Sequence, residues 1–341
     1  MFLPALPRRA SYILLNTPHR RNALSLAELT SLRDQLLRAN TSPTTGRTLL
    51  LPPFKPSFLP RLEAAHARSV ATPTPGDLAD GEEDYSWLVS ARAFATARAG
   101  LPSVLVLASH GPVFSSGHDL RELRALPSGQ VSETFRLCAE VMSLLRRSPA
   151  LVVGRIAGDA VAAGCQLALT ADLPVAHAGV RFRLPGAALG LPCSSPVTAV
   201  GRRVGNGRAF WMLATAGDVK AGEMGGAVRV VEGEGEDGVR ALDGEVQSTV
   251  GRLVGMSPQQ SAMGKWAFWT QAGITGGEGY GDGEAGGALA GSGGDGYLDA
   301  AAWAGRVMAL HAKSEDAKEG MDAFLQKRKA VWCGFDGEDD A

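Results

Sequence analysis

The stretch that most limits what this chain can fold into is Ile156-Ala-Gly-Asp-Ala-Val-Ala-Ala-Gly-Cys-Gln-Leu-Ala-Leu-Thr-Ala-Asp172. It continues a short β-favouring run, Val152 to Ile156. From about Ala163 it reads as an apolar helix whose uncharged polar side chain before Thr170 is Gln166. Between Ile156 and Leu167 the sole bulky side chain is Val161. A backbone dressed so lightly can meet a ligand or another segment directly. The N–H groups of a helix start lack intrahelical partners and carry the positive end of the dipole. Two of them aimed at one oxygen would form an oxyanion hole. The alternative is a small-residue helix packed tightly on a sheet.

Three other stretches belong beside it: Leu15-Asn-Thr-Pro-His-Arg-Arg-Asn-Ala-Leu-Ser25, Gly111-Pro-Val-Phe-Ser-Ser-Gly-His-Asp-Leu-Arg-Glu122 and Glu319-Gly-Met-Asp-Ala-Phe-Leu-Gln-Lys-Arg-Lys329. In this order the four resemble the N-terminal turn, the Phe-x-x-Gly-x-Asp-Leu segment, the Asn-Gly-x-Ala-x-Gly-Gly-Gly-x-Glu-Leu segment and the last helix of the crotonase (enoyl-CoA hydratase/isomerase) superfamily. The wording Phe-Ser-Ser-Gly-His-Asp-Leu with Ala-Ala-Gly-Cys-Gln-Leu is most similar to the enoyl-CoA hydratase domain-containing protein 3 group. The resemblance covers about two thirds of the chain and breaks at two insertions. It implies an α/β fold, a crotonase-like spiral of ββα turns with a C-terminal helical trimerisation region. It also implies an acyl-CoA thioester ligand, a role in fatty acid metabolism and a homo-trimer or dimer of trimers. No cofactor is expected, because coenzyme A is part of the substrate.

Carried over residue by residue, the resemblance makes the backbone N–H groups of His118 and Ala163 the oxyanion donors. Ala163 takes the middle place of the family's Gly triplet, where a methyl is added and the N–H kept. Gln166 and Gly186 stand at the places of the family's two Glu residues. An amide cannot relay a proton as a carboxyl can, so ordinary hydration of an enoyl thioester is expected to be weak or absent. Ser194 stands where another subgroup has an Asp. Decarboxylation of a malonyl-type thioester needs little proton transfer and stays open, as does a non-catalytic acyl-CoA-binding or regulatory subunit. Arg20 or Arg21 is the candidate for the CoA phosphates, against a solvated basic turn. Lys327 and Lys329 are candidates on the last helix, against a solvated helix end. Ala23, Ser116, Gly117, Asp119, Leu120, Gly164 and Ser194 complete the expected substrate surroundings. The His118 side chain points to solvent or titrates near neutrality, and Asp119 reads as a structural partner of its loop.

Composition narrows the alternatives. With 34 basic and 35 acidic residues, bulk charge gives no attraction to nucleic acid or an anionic membrane. The cysteines Cys138, Cys165, Cys193 and Cys333 lack a Cys-x-x-Cys pair, and Cys138 and Cys165 fall in apolar patterns that suit reduced core thiols. No apolar run has the ~18 residues of a membrane span. The relatives implied by the resemblance point to mitochondria. The ten residues before the first strand hold Arg8 and Arg9 but not a full transit peptide, which leaves the cytoplasm as the alternative.

Along the chain, Ser11–Leu15 reads as a strand, and Ser25 with Glu28 as a capping box opening a helix to about Ala39. The Pro-dense, then acidic, run 41–84 reads as an irregular surface insertion, removable without much change in melting temperature. Helices are expected over Tyr85–Ala99, Glu133–Arg147, Ala209–Ala216, Met256–Gln271, Tyr297–Lys313 and Lys318–Lys329. Strands are expected near Val104–Leu107, Val152–Ile156 and Val180–Leu184. Ser195 before Pro196 reads as an N-cap. Pro185–Pro192 and the Gly- and acid-rich Glu232–Asp243 read as loops, and Thr275–Gly296 as a flexible insertion. The expected division is a spiral core over 1–208 and a helical region over 209–341.

Overall fold

The computed structural model describes residues 3–70, 85–189, 193–273 and 315–333, which form two compact units: residues 1–40 with 102–255, and residues 41–101 with 256–341. The first unit is built from two sheets visited in alternation. β1 (Ala10–Leu15), β2 (Val104–Ser109), β4 (Leu151–Ile156), β6 (Leu173–His177) and β9 (Arg229–Val231) form a parallel sheet in that order. β3 (Val113–Ser115), β5 (Asp159–Val161), β7 (Arg181–Arg183) and β8 (Asp218–Lys220) form the second, parallel except for β7–β8. Between β2 and α9 each turn runs from a first-sheet strand to a second-sheet strand and then into a helix. The helices that follow are α5 (Leu120–Ala125) with α6 (Ser128–Arg147), then α7 (Ala163–Thr170), then α8 (Ser194–Val204) with α9 (Asn206–Thr215). The expected strand–turn–helix repetition is therefore present, and it brings β3 and the loop after it against the start of α7.

The central strands are apolar on both faces, as parallel strands covered on both sides must be; β2 is buried along its whole length. One face is covered by α10 (Gly235–Val254), whose Val239, Leu242, Val246, Val250 and Val254 pack on Val104, Val106, Val153 and Val175. This corrects the loop expected over Glu232–Asp243. Glycine density hid an apolar stripe at spacings of three and four residues, which burial against the sheet outweighs. α1 (Leu26–Asn40) forms as expected, but only half of its capping box closes. Ser25 Oγ accepts from the Glu28 amide at 3.2 Å, while Glu28 Oε1 accepts from the Asn16 amide instead.

The second unit corrects the reading of 41–84. Pro60 sits at the second position of α2 (Leu59–Val70), where its missing N–H costs nothing. Leu49, Leu51, Leu59, Leu62 and Ala65 form one buried cluster with Tyr85, Trp87, Leu88 and Phe94 and with Ala262, Met263 and Trp266. Trp266 Nε1 donates to the Pro53 carbonyl at 3.2 Å. A segment that supplies this core is not a removable surface loop; residues 71–84 of it lie outside the described residues. α3 (Ser86–Val89) and α4 (Ala91–Ala97) replace the single helix expected over Tyr85–Ala99, because Ser90 caps α4 by accepting from the Ala93 amide. α11 (Pro258–Gln271) and α12 (Glu315–Gln326) follow. The helix expected over 297–313 and the insertion 275–296 lie outside the described residues. The two units do not divide at 208/209: the first runs on to 255, and the second takes in 41–101.

Candidate active site

The loop after β3 and the start of α7 meet at Gly117. Its φ is +84°, and a Cβ there would lie 2.9 Å from the Ala162 Cβ and the Val161 carbonyl and 3.2 Å from the Ala163 amide nitrogen. Only a residue without a side chain lets these two backbones come so close. Gly164 seals the same contact from the other side, since a Cβ there would lie 2.7 Å from Ser115 Cβ and 2.8 Å from Ser115 Oγ. The result places the His118 and Ala163 amides on facing segments. Among the described residues neither amide donates to a protein acceptor. Ala162, between β5 and α7, has φ +50° and ψ −121°, a region in which a β-carbon is strained.

Polar contacts hold the loop. Ser115 Oγ donates to the Asn22 carbonyl at 2.8 Å and accepts from the Gly117 amide at 3.2 Å. The fully buried Asn22 carboxamide donates to the His110 and Val113 carbonyls, 2.8 Å each, and accepts from the Thr17 amide at 3.0 Å. The Leu24 amide donates to the Gly117 carbonyl at 2.8 Å, beside buried Ala23, and the Ser116 amide donates to the Arg21 carbonyl at 3.1 Å. Asn22 and Ser115 were not singled out from sequence, and Ser195 was read there only as a helix cap. Asn22 stands inside the quoted N-terminal turn, where its buried position was the missing signal.

Asp119 is structural, as expected. It caps α5 by accepting from the Arg121 and Glu122 amides, and Arg20 Nη2 pairs with it at 2.5 Å. Arg20 is thereby tied to the loop, while Arg21 is exposed with left-handed backbone. Leu120 is exposed at the start of α5. The His118 ring turns from both readings of its side chain: Nδ1 meets the Leu24 carbonyl at 3.3 Å and the ring stacks edge-on against Phe135. Burial pushes its pKa below the ordinary imidazole value, against the opposing pull of the Leu24 carbonyl and Glu122, so the ring is neutral near neutral pH.

On α7, Gln166 is 6% exposed and its Oε1 accepts from Ser195 Oγ at 3.1 Å. That bond corrects the Ser195 N-cap: α8 begins at Ser194, Cys193 is its N-cap, and the Ser195 hydroxyl reaches across to α7. Gly186 is buried in a 3₁₀ turn, Pro185–Leu189, where the sequence suggested a loop. Its amide hydrogen-bonds the Cys193 thiol, which opposes the rise that burial imposes on that thiol's pKa. Cys138 and Cys165 are buried and pushed up to about 12, so they are inert core thiols. Ser194 is exposed, and Lys327 is exposed just beyond α12 in the second unit. The first-unit site thus combines two unengaged backbone donors, a buried carboxamide and a neutral imidazole, with its one named carboxylate already engaged.

An enoyl-CoA hydratase/isomerase family model matches residues 91–234, the span that carries both facing segments. The chain is 30% identical over 324 residues to the mitochondrial enoyl-CoA hydratase domain-containing protein 3 of Rattus norvegicus, covering 94% of this chain and 80% of that one. It is 34% identical over 232 residues to the Homo sapiens protein of that name, covering 67% and 68%. The crystal structure of human enoyl coenzyme A hydratase domain-containing protein 3 superposes with a TM-score of 0.67 at 27% identity, covering 96% and 98%. An enoyl-CoA hydratase from Mycobacterium smegmatis gives 0.64 at 30% identity, covering 96% and 97%. This chain belongs to the enoyl-CoA hydratase/isomerase family and has the crotonase α/β fold.

Proposed function

We propose that the protein binds an acyl-CoA thioester and stabilises its enolate through the His118 and Ala163 amides, with ordinary enoyl-CoA hydratase activity weak or absent. The observation that carries this reading is the pair of unengaged amides brought together across Gly117. A thioester carbonyl gains negative charge as its α-carbon becomes an enolate, and prealigned donors at a helix start oppose that charge without reorganising. Neither Gln166 nor Gly186 can accept and return a proton at ordinary pH, and neutral His118 is turned to the Leu24 carbonyl. Arg21 is the better candidate for the CoA phosphates, since Arg20 pairs with Asp119. No cofactor beyond the substrate's own coenzyme A is called for. Homo-trimer or dimer-of-trimers assembly and a mitochondrial location follow the family; exposed Phe210 and Trp211 on α9 supply apolar surface for the former. Among the described residues no helix is long and apolar enough to cross a membrane.

Calorimetry with butyryl-CoA and its thioether analogue S-butyl-CoA, which lacks the carbonyl oxygen, tests the reading. Loss of two hydrogen bonds should weaken the thioether about ten-fold or more. Equal affinities would remove the oxyanion hole from the account. The alternative, a non-catalytic acyl-CoA-binding subunit, shares the binding result and differs in showing no turnover of any thioester.

A further inference from the structure

The two ends of the Gln166 carboxamide are treated differently. Oε1 is held by Ser195 Oγ at 3.1 Å, whereas Nε2 donates to no group among the described residues. Nor is Nε2 fully sealed from solvent without a partner, although the residue is only 6% exposed. A carboxamide nitrogen carries two donors and no acceptor. Its residue stands three positions beyond Ala163 on α7, a backbone rise of ~4.5 Å along the axis. Both therefore serve the same face of α7, at the positive end of its dipole. Asp119, whose carboxylate is occupied by two α5 amides and Arg20, offers no competing free acid there.

We propose that Ser195 is a positioning residue that turns the Gln166 amide nitrogen toward the acyl chain, so that the site selects thioesters with a carbonyl or carboxylate oxygen on C3. The inference rests on the acyl-CoA reading above. With Ala163 holding the thioester oxygen, a donor one turn further on meets an acceptor further along the acyl chain. An unsubstituted acyl chain would leave that donor unpaired. A carboxylate at position 166 would face the same group with like charge. Glutamine held nitrogen-inward does the reverse.

The test measures dissociation constants of the full-length protein for malonyl-CoA, acetoacetyl-CoA and butyryl-CoA by calorimetry. Malonyl-CoA is expected to bind about ten-fold or more tighter than butyryl-CoA, and acetoacetyl-CoA about three- to ten-fold tighter, which separates the charged acceptor from the neutral one. Ser195→Ala should bring these ratios toward one and Ser195→Thr should restore them. Gln166→Glu should make malonyl-CoA the weakest of the three. Circular dichroism of each variant reports whether it is folded, and the affinity ratio is a quantity that a purely structural role would not move. Equal binding of the three thioesters by the natural protein overturns the selectivity and leaves the acyl-CoA reading standing. Ratios unchanged in both Ser195→Ala and Gln166→Leu overturn it as well. Binding of none of the three defeats the acyl-CoA reading and this inference with it.

Discussion

Replacing Gly164 by alanine adds one methyl at the contact on which the site's geometry depends. The new Cβ would press on Ser115, 2.7 Å from its Cβ and 2.8 Å from its Oγ, with the Ser115 carbonyl oxygen closer still. Two of these atoms belong to the residue's backbone and Cβ, so no rotamer change relieves the clash. Overpacking of this kind costs about 1–3 kcal/mol. Moving Ser115 also strains its bonds to the Asn22 carbonyl and the Gly117 amide, each worth roughly 0.5–1.5 kcal/mol. Together these give ~2–6 kcal/mol, a fall in melting temperature on the order of 5–20 °C. Thermal unfolding followed by circular dichroism measures it, and thioester binding should be lost alongside because the His118 amide moves with the loop. A Gly164→Ala protein that melts within about one degree of the natural protein would show that the strand–helix contact is looser than described, and the reasoning would fail.

The neighbouring position should respond with the opposite sign. Ala162→Gly removes a β-carbon from φ +50°, relieving ~1–3 kcal/mol of strain against about 0.5–1 kcal/mol of added chain entropy, so the melting temperature should rise. Asp119→Ala removes the α5 cap, costing ~0.5–2 kcal/mol, and the half-exposed Arg20 pair adds less than about 1 kcal/mol. Urea titration should show that loss, whereas an unchanged midpoint would mean that α5 needs no cap. Leu51→Ala, at a fully buried side chain of the second unit, should cost about 2–5 kcal/mol; a loss below ~0.5 kcal/mol would return the segment to the surface.

Much of the candidate site's geometry was legible in sequence because it is a close meeting of two backbones. Small residues at 162–164 and Gly117 are needed wherever two backbones must meet, and that requirement is written in residue type. The absence of carboxyl groups at 166 and 186 is equally plain. What could not be read was partnership across the fold. Ser195 looked like a cap because Ser-Pro commonly starts a helix, yet its hydroxyl answers to a residue on α7 that lies close only after β6 and β7 have been threaded. The chain from 41 to 70 was misread for a related reason. Proline argues against regular structure locally, but Leu49, Leu51, Leu59 and Leu62 find their apolar partners about 200 residues away, at Met263 and Trp266. For α10, seven-residue stretches rich in glycine and acid resemble a loop, and only the stripe from Val239 to Val254 reveals the helix.

The central claim is an oxyanion hole without the acid–base pair that hydration needs, and the rate of crotonyl-CoA hydration tests it most directly. Loss of the enoyl thioester absorbance is to be followed for the natural protein and for the Gln166→Glu, Gly186→Glu double variant. The natural protein should show negligible turnover. The double variant should gain measurable activity, within the roughly 10²–10⁴-fold that general acid–base catalysis supplies. Hydration by the natural protein at ordinary enzyme rates, about 1–10³ s⁻¹, would mean that another residue moves the proton, and the claim would be contradicted.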